Sequence, residues 1–241
     1  MRKLMSNLFQ IYVWLFLYPV AWTWTALVCI VIALMSHVGG AKWAGRYVAR
    51  LWGKFILWIT PARVKTKGLG HIEAHQSYVV VANHQSTYDI LAVYGHMPLD
   101  FKWVIKQELR KVPFLGFACH KIGHIFVDRR NRQASLASME AAKTTLVDGT
   151  SVFFFPEGTR SNGQSLNPFK KGAFKMAKDL GLPILPLSIA DADKVMPSKS
   201  VKILPGTITL TFHEPISLVD VESKRTAELA ELAQQKIACA V

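Results

Sequence analysis

Residues 78–89 have the sequence YVVVANHQSTYD, in which a run of apolar, mostly β-branched residues gives way to polar ones. Such a run is typical of a buried strand, and the polar residues after it predict that the strand ends in a loop. From Tyr88 to Gly95 the spacing of apolar residues predicts a helix. Because a buried strand followed by a helix is the repeating unit of parallel sheets, this segment favours an α/β fold.

The same alternation extends through most of the chain. Further strands are predicted at Ala62–Lys67, Phe101–Ile105, His124–Val127, Ser151–Phe155, Ile184–Ile189 and Thr207–Phe212. Further helices are predicted at Arg132–Val147, Phe169–Leu180 and Val219–Ala238. Residues 61–241 are therefore expected to form one α/β domain with a mixed, largely parallel sheet flanked by helices.

Residues 1–60 differ from the rest in composition and predict a membrane anchor. They contain six basic residues, no acidic residue and six of the seven tryptophans of the chain. From Leu8 to Met35 there are 28 residues without a charge, more than the roughly 20 that a helix needs to cross a bilayer. Pro19 is expected to kink or break this helix. A full span and two shorter helices in one leaflet both fit the pattern.

The segment from Ala41 to Thr60 predicts a second, amphipathic helix. Its cations recur every four residues and would form one basic stripe, at Lys42, Arg46, Arg50 and Lys54. A basic helix rich in aromatic residues is typical of a membrane surface with anionic headgroups. A solvated basic face on the soluble domain is the alternative.

The net charge of +13 also raises nucleic-acid binding as a function. The cations of residues 1–60 lie beside an apolar anchor, and no nucleic-acid-binding motif is present, so we expect no nucleic acid as a partner. Three widely spaced cysteines, Cys29, Cys119 and Cys239, predict neither a disulfide framework nor a Cys-rich zinc site.

His84 follows the strand of residues 78–82 directly, and Asp89 comes five residues later. A carboxylate that accepts a hydrogen bond from one imidazole nitrogen fixes the tautomer and raises the basicity of the other nitrogen. His84 and Asp89 are therefore a candidate base and its orienting acid. Ser86 lies between them, but the GxSxG pattern of hydrolase nucleophiles is absent, which favours a turn or helix-cap role for Ser86.

A second polar cluster follows the strand predicted at Ser151–Phe155. Gly158 lets a ligand approach the backbone, Arg160 offers a planar fork for phosphate or carboxylate, and Thr159 adds a hydroxyl. Lys106 and Arg129 follow other predicted strands. Several cations at strand ends predict a pocket for an anionic group.

Two other patterns are weaker. His71 and His75 have the i,i+4 spacing of metal ligands on a helix, but no third ligand is evident, so we expect no metal site. Residues 68–70, Gly-Leu-Gly, lack the third glycine of a dinucleotide-binding fingerprint.

Taken in order, these segments resemble the four motifs of the glycerolipid acyltransferases, most closely the bacterial 1-acylglycerol-3-phosphate acyltransferases. The matching segments are His84 and Asp89 within NHQSTYD, then Pro113–Gly116 with Gly123–Arg129, then FPEGTRS at Phe155–Ser161, then the proline-flanked strand Leu182–Pro186. The resemblance covers about Ala62 to Pro215. The N-terminal anchor is similar to that family's arrangement too.

The resemblance implies transfer of a fatty acyl chain from a thioester to the hydroxyl of lysophosphatidic acid, giving phosphatidic acid. It implies His84 as general base, Asp89 as its orienting acid, and Lys106, Arg129 and Arg160 as ligands of the acceptor phosphate. Glu157, Gly158 and Thr159 complete the substrate-binding loop, where we expect Glu157 to orient an arginine or the loop backbone. No metal or cofactor is expected, with acyl-CoA or acyl-acyl carrier protein as co-substrate.

The resemblance also implies a position at the cytoplasmic face of the bacterial inner membrane. Other acceptors stay open, among them glycerol 3-phosphate, lyso-ornithine lipid and other lysophospholipids. A membrane-surface binding protein without activity would explain the anchor and the charge, but it would not explain His84 and Asp89 together with the FPEGTRS segment.

Overall fold

The computed structural model describes residues 8–128, 130–143, 146, 149–161 and 165–241. Within them the strands are β1 (Ala62–Lys67), β2 (Val79–Ala82), β3 (Asp100–Lys106), β4 (Ile125–Val127), β5 (Thr150–Phe154), β6 (Ile184–Ala190) and β7 (Gly206–Phe212). The helices are α1 (Leu8–His37), α2 (41–59), α3 (Tyr88–His96), α4 (Leu115–Lys121), α5 (Arg132–Ala142), α6 (Gly172–Leu180), α7 (Ala192–Val195), α8 (Leu218–Ser223) and α9 (Thr226–Ala238). Short 3₁₀ turns lie at Leu69–His71 and Gln107–Lys111.

The described strands form one seven-stranded sheet in the order β1-β7-β6-β2-β5-β3-β4. Every pairing is parallel except that of β6 with β7. The predicted fold class, a mixed and largely parallel sheet flanked by helices, is therefore confirmed.

The central strand β2 explains why the sheet is buried on both faces. Val80 and Ala82 enter one apolar layer, whereas Val79 and Val81 enter the layer on the opposite face. All four side chains are fully buried, and burying one valine contributes about 1.5–3 kcal/mol relative to leaving it exposed. A strand that must fill both layers has to be apolar at every position, which is why the segment shows a continuous run.

Helix α1 continues through Pro19, so of the predicted kink or break, the break does not occur. The turn just before it, Val13–Leu17, is a wider π-turn in which the Tyr18 N–H donates to the Val13 carbonyl five residues back. A proline has no N–H to donate, and its ring clashes with a carbonyl of the preceding α-helical turn. The wider turn accommodates both effects, as π-turns inside α-helices do.

By length and composition alone, α1 is able to cross a membrane. It has 30 residues, and 22% of its most apolar window is buried inside the protein. The large apolar side chains on the remaining surface include Trp14, Phe16, Trp22 and Leu34, all exposed.

The four cations predicted to form one stripe on helix α2 differ in exposure. A π-turn at Ala44–Val48 adds a residue to the helical repeat and rotates the positions after it. Lys42, Arg46 and Lys54 are exposed, but Arg50 is half-buried and donates to the Met97 carbonyl at the end of α3.

Helices α2 and α3 approach each other through glycines. A Cβ placed on Gly53 would lie 2.8 Å from the Leu91 carbonyl oxygen, and one on Gly95 would lie 3.4 Å from side-chain atoms of Leu57 and Lys54. Backbone therefore packs on backbone where α2 meets the α/β domain.

The C-terminal helix predicted at Val219–Ala238 is two helices. Ser217 caps α8, its side chain accepting from the Asp220 N–H, and the Glu228 carboxylate accepts from the Arg225 N–H at the start of α9. Each of the two helices therefore has a backbone N–H group at its start that is satisfied locally, which stabilises the break between α8 and α9. Helix α6 begins at Gly172 rather than at the predicted Phe169. Part of the helix predicted at Arg132–Val147 lies outside the described residues, and α5 ends at Ala142.

Candidate active site

Three parallel strands bring the candidate residues to one edge of the sheet. Strands β2, β5 and β3 are neighbours in that order, so their carboxyl ends meet at the same edge. His84 follows β2, Lys106 ends β3, and the loop of residues 155–161 follows β5. Sites of open α/β sheets form at this edge.

His84 and Asp89 form a hydrogen-bonded pair. His84 Nδ1 lies 2.7 Å from Asp89 Oδ2; the carboxylate is completely buried, and the imidazole side chain is 14% exposed. Because an ionised carboxylate only accepts, Nδ1 is the donor, which leaves Nε2 with a free lone pair. No residue that the structure describes hydrogen-bonds to Nε2, so this atom is available to a substrate proton.

The loop backbone holds the Asp89 carboxylate in place. Besides the imidazole, Oδ2 accepts from the N–H groups of Gln85 at 2.7 Å and Ser86 at 2.8 Å. These contacts need the short turn between β2 and α3, with Asp89 in the first turn of the helix. Asp89 is thus oriented by residues of its own loop.

Ser86 serves as a turn residue, as its sequence context predicts. Its Oγ accepts from the Tyr88 N–H at 3.2 Å and donates to the Met196 carbonyl at 2.7 Å. The side chain is buried, so this hydroxyl is not presented to a substrate.

Two residues that the sequence analysis left without a role also position the base. The Phe155 ring stacks on the His84 imidazole, with centroids 4.0 Å apart and 11° between the planes. The Asn83 side chain pairs with both backbone groups of Ile189 on β6, at 2.8 and 2.7 Å. Asn83 is a polar residue at the end of an apolar strand, and this is the one sequence signal that could have identified it.

Each carboxylate oxygen of Glu157 accepts a hydrogen bond from a backbone N–H group. Its Oε1 accepts from the His84 N–H at 2.7 Å, and its Oε2 accepts from the Asn167 N–H at 2.8 Å. The Ser161 N–H donates in turn to the His84 carbonyl at 2.8 Å. Burial raises the pKa of Glu157, while these two N–H groups act in the opposite direction. Of the two roles expected for Glu157, the structure therefore places it on loop backbone, including that of the base itself.

Exposed side chains of this loop lie at its tip. Gly158 has φ +77°, and a Cβ there would lie 2.7 Å from Lys170 Nζ. Thr159 and Arg160 are exposed at the tip, and Lys106 is exposed at the end of β3. Lys170 is a further cation next to the loop that the sequence analysis did not single out. Arg129 lies outside the described residues.

The other sequence candidates show no second site. Nδ1 of His71 lies 3.0 Å from the Phe212 carbonyl oxygen. Within residues 8–241, apart from the few that are not described, no group of three or more His, Cys, Asp or Glu side chains is placed to hold a metal ion. Cys29, Cys119 and Cys239 are free thiols.

The structure thus combines an α/β sheet, a histidine–carboxylate pair at the end of a central strand and an exposed arginine on the neighbouring loop. A sequence profile described as "Acyltransferase" matches residues 63–190, which include every strand from the second residue of β1 to the end of β6. The chain belongs to the acyltransferase family.

Its relatives within that family carry more specific names. Human 1-acyl-sn-glycerol-3-phosphate acyltransferase alpha is 30% identical over 194 residues, 80% of this chain and 69% of that protein. A 1-acyl-sn-glycerol-3-phosphate acyltransferase of Chlamydomonas reinhardtii is 33% identical over 66% of this chain, which spans only 47% of the algal protein. The crystal structure of the 1-acyl-sn-glycerophosphate (LPA) acyltransferase PlsC from Thermotoga maritima superimposes with a TM-score of 0.79 at 27% identity, covering 98% of this chain and 95% of that one.

Proposed function

We propose that this protein transfers a fatty acyl chain from an acyl thioester to the free hydroxyl of lysophosphatidic acid, which gives phosphatidic acid. The observation that carries the proposal is the His84–Asp89 pair, 2.7 Å apart, with imidazole Nε2 unpartnered among the described residues. The names of the relatives, 1-acyl-sn-glycerol-3-phosphate acyltransferases from an alga, mammals and yeast, support the same acceptor.

In this mechanism the acceptor hydroxyl attacks the thioester directly. His84 Nε2 takes the hydroxyl proton as the oxygen bonds to the carbonyl carbon, and the tetrahedral intermediate then expels the thiolate. The imidazolium returns the proton to the leaving sulfur. Because a thioester is already activated, the enzyme needs no nucleophile of its own, and base catalysis contributes about 10²–10⁴-fold.

Asp89 acts through His84. Its carboxylate keeps the proton on Nδ1, so that Nε2 faces the hydroxyl, and its negative charge stabilises the imidazolium that forms. The hydrogen bonds from Gln85 and Ser86 prevent the carboxylate from turning away.

Arg160 and Lys106 are proposed to bind the acceptor phosphate, with Arg129 and Thr159 as further ligands. Both described cations are exposed at the edge of the sheet that carries His84. A guanidinium binds phosphate through two parallel hydrogen bonds. The Gly158 backbone gives the ligand close access to the loop.

The proposed acyl donor is acyl-CoA or an acyl-acyl carrier protein, and the mechanism uses no metal or cofactor. We further propose a position at the cytoplasmic face of a bacterial inner membrane. The exposed apolar surface of α1 and the cations of α2 support membrane association, and cations near an anchor favour the cytoplasmic side.

The test is an acceptor panel. Purified protein in lipid vesicles is given radiolabelled acyl-CoA or acyl-acyl carrier protein, with lysophosphatidic acid, glycerol 3-phosphate, a lyso-ornithine lipid or another lysophospholipid. We expect labelled phosphatidic acid as the main product and none from His84→Ala. Faster acylation of glycerol 3-phosphate or of the lyso-ornithine lipid would refute the proposed acceptor.

A further inference from the structure

Outside helices α1 and α2, one segment exposes four large apolar side chains that lie close together in the sequence. Residues 106–121, here called the β3–α4 tip, comprise the 3₁₀ turn Gln107–Lys111, a short bend and helix α4. Its exposed apolar residues are Leu109 (37%), Val112 (37%), Phe114 (61%) and Phe117 (46%). Single exposed apolar residues need no explanation, but four within nine positions form a patch.

The backbone of the tip is built to present this patch. Phe114 has φ +60°, a backbone conformation that residues other than glycine rarely adopt. Such a conformation persists only where the surrounding structure stabilises it. A Cβ on Gly116 would lie 2.3 Å from the Arg110 carbonyl oxygen, so α4 begins in direct contact with the preceding turn. The tip is therefore a compact unit that holds an aromatic ring outward.

The inner side of α4 packs on the anchor. Ala118 and Ile122 form one apolar cluster with Val28, Cys29 and Ile32 of α1. The outer side of α4 carries Phe117. Helix α4 thus connects the patch to α1, which itself exposes large apolar side chains.

The charges of the tip identify the kind of surface that would cover it. The tip has a net charge of +3, because it contains one acid, Glu108, and four cations, Lys106, Arg110, Lys111 and Lys121. Lys121 Nζ lies 5.3 Å from the centroid of the Phe117 ring. Aromatic rings beside cations are typical of segments at the headgroup level of an anionic membrane.

From these observations we infer that the β3–α4 tip is a second membrane-contact element, which inserts Phe114 and Phe117 into the same anionic lipid surface as the anchor helices. Lys106 joins the tip to β3, at the edge of the sheet that carries His84. The tip thus brings this edge to headgroup level, where a membrane-resident acceptor would be met. That use rests on the proposed function, whereas the lipid contact does not.

The experiment reads lipid contact at single positions of the full-length protein. An environment-sensitive fluorophore is attached at Phe117→Cys, with Cys239→Ser as background. Cys29 is buried, and burial raises the pKa of the Cys119 thiol to about 12, so neither competes for a thiolate-directed label near neutral pH. The matched control is Val219→Cys on α8, where the native side chain is 74% exposed and lies outside the cluster that packs on the anchor.

Vesicles contain phosphatidylglycerol and doxyl-labelled phosphatidylcholine as the quencher. We expect several-fold stronger quenching at position 117 than at 219, and a weaker effect at 117 after Arg110→Gln with Lys111→Gln. Equal quenching at both positions would overturn the inference. A label at position 117 that is shielded without vesicles and becomes exposed when the protein is diluted would also overturn it, because a second copy of the chain would then cover the patch. Circular dichroism confirms that each variant is folded. No substrate is present, so the result is independent of whether lysophosphatidic acid is the acceptor.

Discussion

The two loops that follow the neighbouring strands β2 and β5 differ in how far their polar side chains are buried. In the loop of residues 83–89, the polar side chains of Asn83, Ser86 and Asp89 are buried and hydrogen-bonded within the protein. In the loop of residues 155–161, Glu157 is buried but Thr159 and Arg160 are exposed. The difference matches the two proposed tasks: a rigid loop would hold the base in one geometry, and an open loop would leave Arg160 accessible to the acceptor phosphate.

Removing the base should have the largest effect. We expect His84→Ala to lower kcat by about 10²–10⁴-fold, and Asp89→Asn to approach that loss because the amide favours the wrong tautomer. Vesicle binding and circular dichroism should match the wild type. A folded His84→Ala protein with near-normal turnover would show that the rigid loop does not carry the chemistry.

The open loop should affect binding of the acceptor instead. Arg160→Lys keeps the charge but loses the paired hydrogen bonds of the guanidinium, which are worth about 1.5–3 kcal/mol. We expect the KM for lysophosphatidic acid to rise by tens-fold, with little change in the KM for the donor. Steady-state kinetics with each substrate varied in turn measures both constants. An increase confined to the donor constant would assign Arg160 to the thioester carrier.

Glu157 belongs to the open loop by sequence but to the rigid one by its contacts. Glu157→Gln keeps one carbonyl oxygen and turns an NH₂ group toward a backbone N–H, so either His84 or Asn167 loses its acceptor. We expect kcat to fall by about tenfold, the lower end of the cost of a charged hydrogen bond, with the KM for lysophosphatidic acid nearly unchanged. The opposite pattern, a raised KM at constant kcat, would mean that Glu157 acts on the acceptor.

Ser86→Ala should have the smallest effect on activity. The hydroxyl stabilises the turn before α3, so we expect a stability loss of about 1 kcal/mol by chemical denaturation and turnover within a few-fold of the wild type. An inactive Ser86→Ala protein, or an acyl group trapped on Ser86 in the wild type, would instead indicate covalent catalysis.

The sequence predicts the strands well because burial on both faces demands continuous apolar runs. All seven predicted strands occur within one residue at each end. Local features of helices are harder to predict from the sequence. The π-turn before Pro19 and the break between α8 and α9 depend on which backbone N–H groups form hydrogen bonds.

The His84–Asp89 pair was also predictable from the sequence, since the two residues are only five positions apart. The supporting contacts were not, because their partners are distant in the chain. Glu157 reaches the His84 N–H across 73 positions and Asn83 reaches Ile189 across 106. Such pairings follow from the order of strands in the sheet, which no local pattern specifies.

The glycine contact between α2 and α3 sets the distance between α2 and the helix that carries Asp89. Asp89 lies in the first turn of α3, and at Gly53 the backbone of α2 comes so close to this helix that a Cβ would collide with the Leu91 carbonyl oxygen. On the proposed function, His84 would lie at a fixed distance from the lipid surface and would accept protons only from hydroxyls that reach this position. Turnover would then follow the mole fraction of lysolipid within the bilayer rather than its amount per volume, and adding inert phospholipid at constant total lysolipid should slow the reaction.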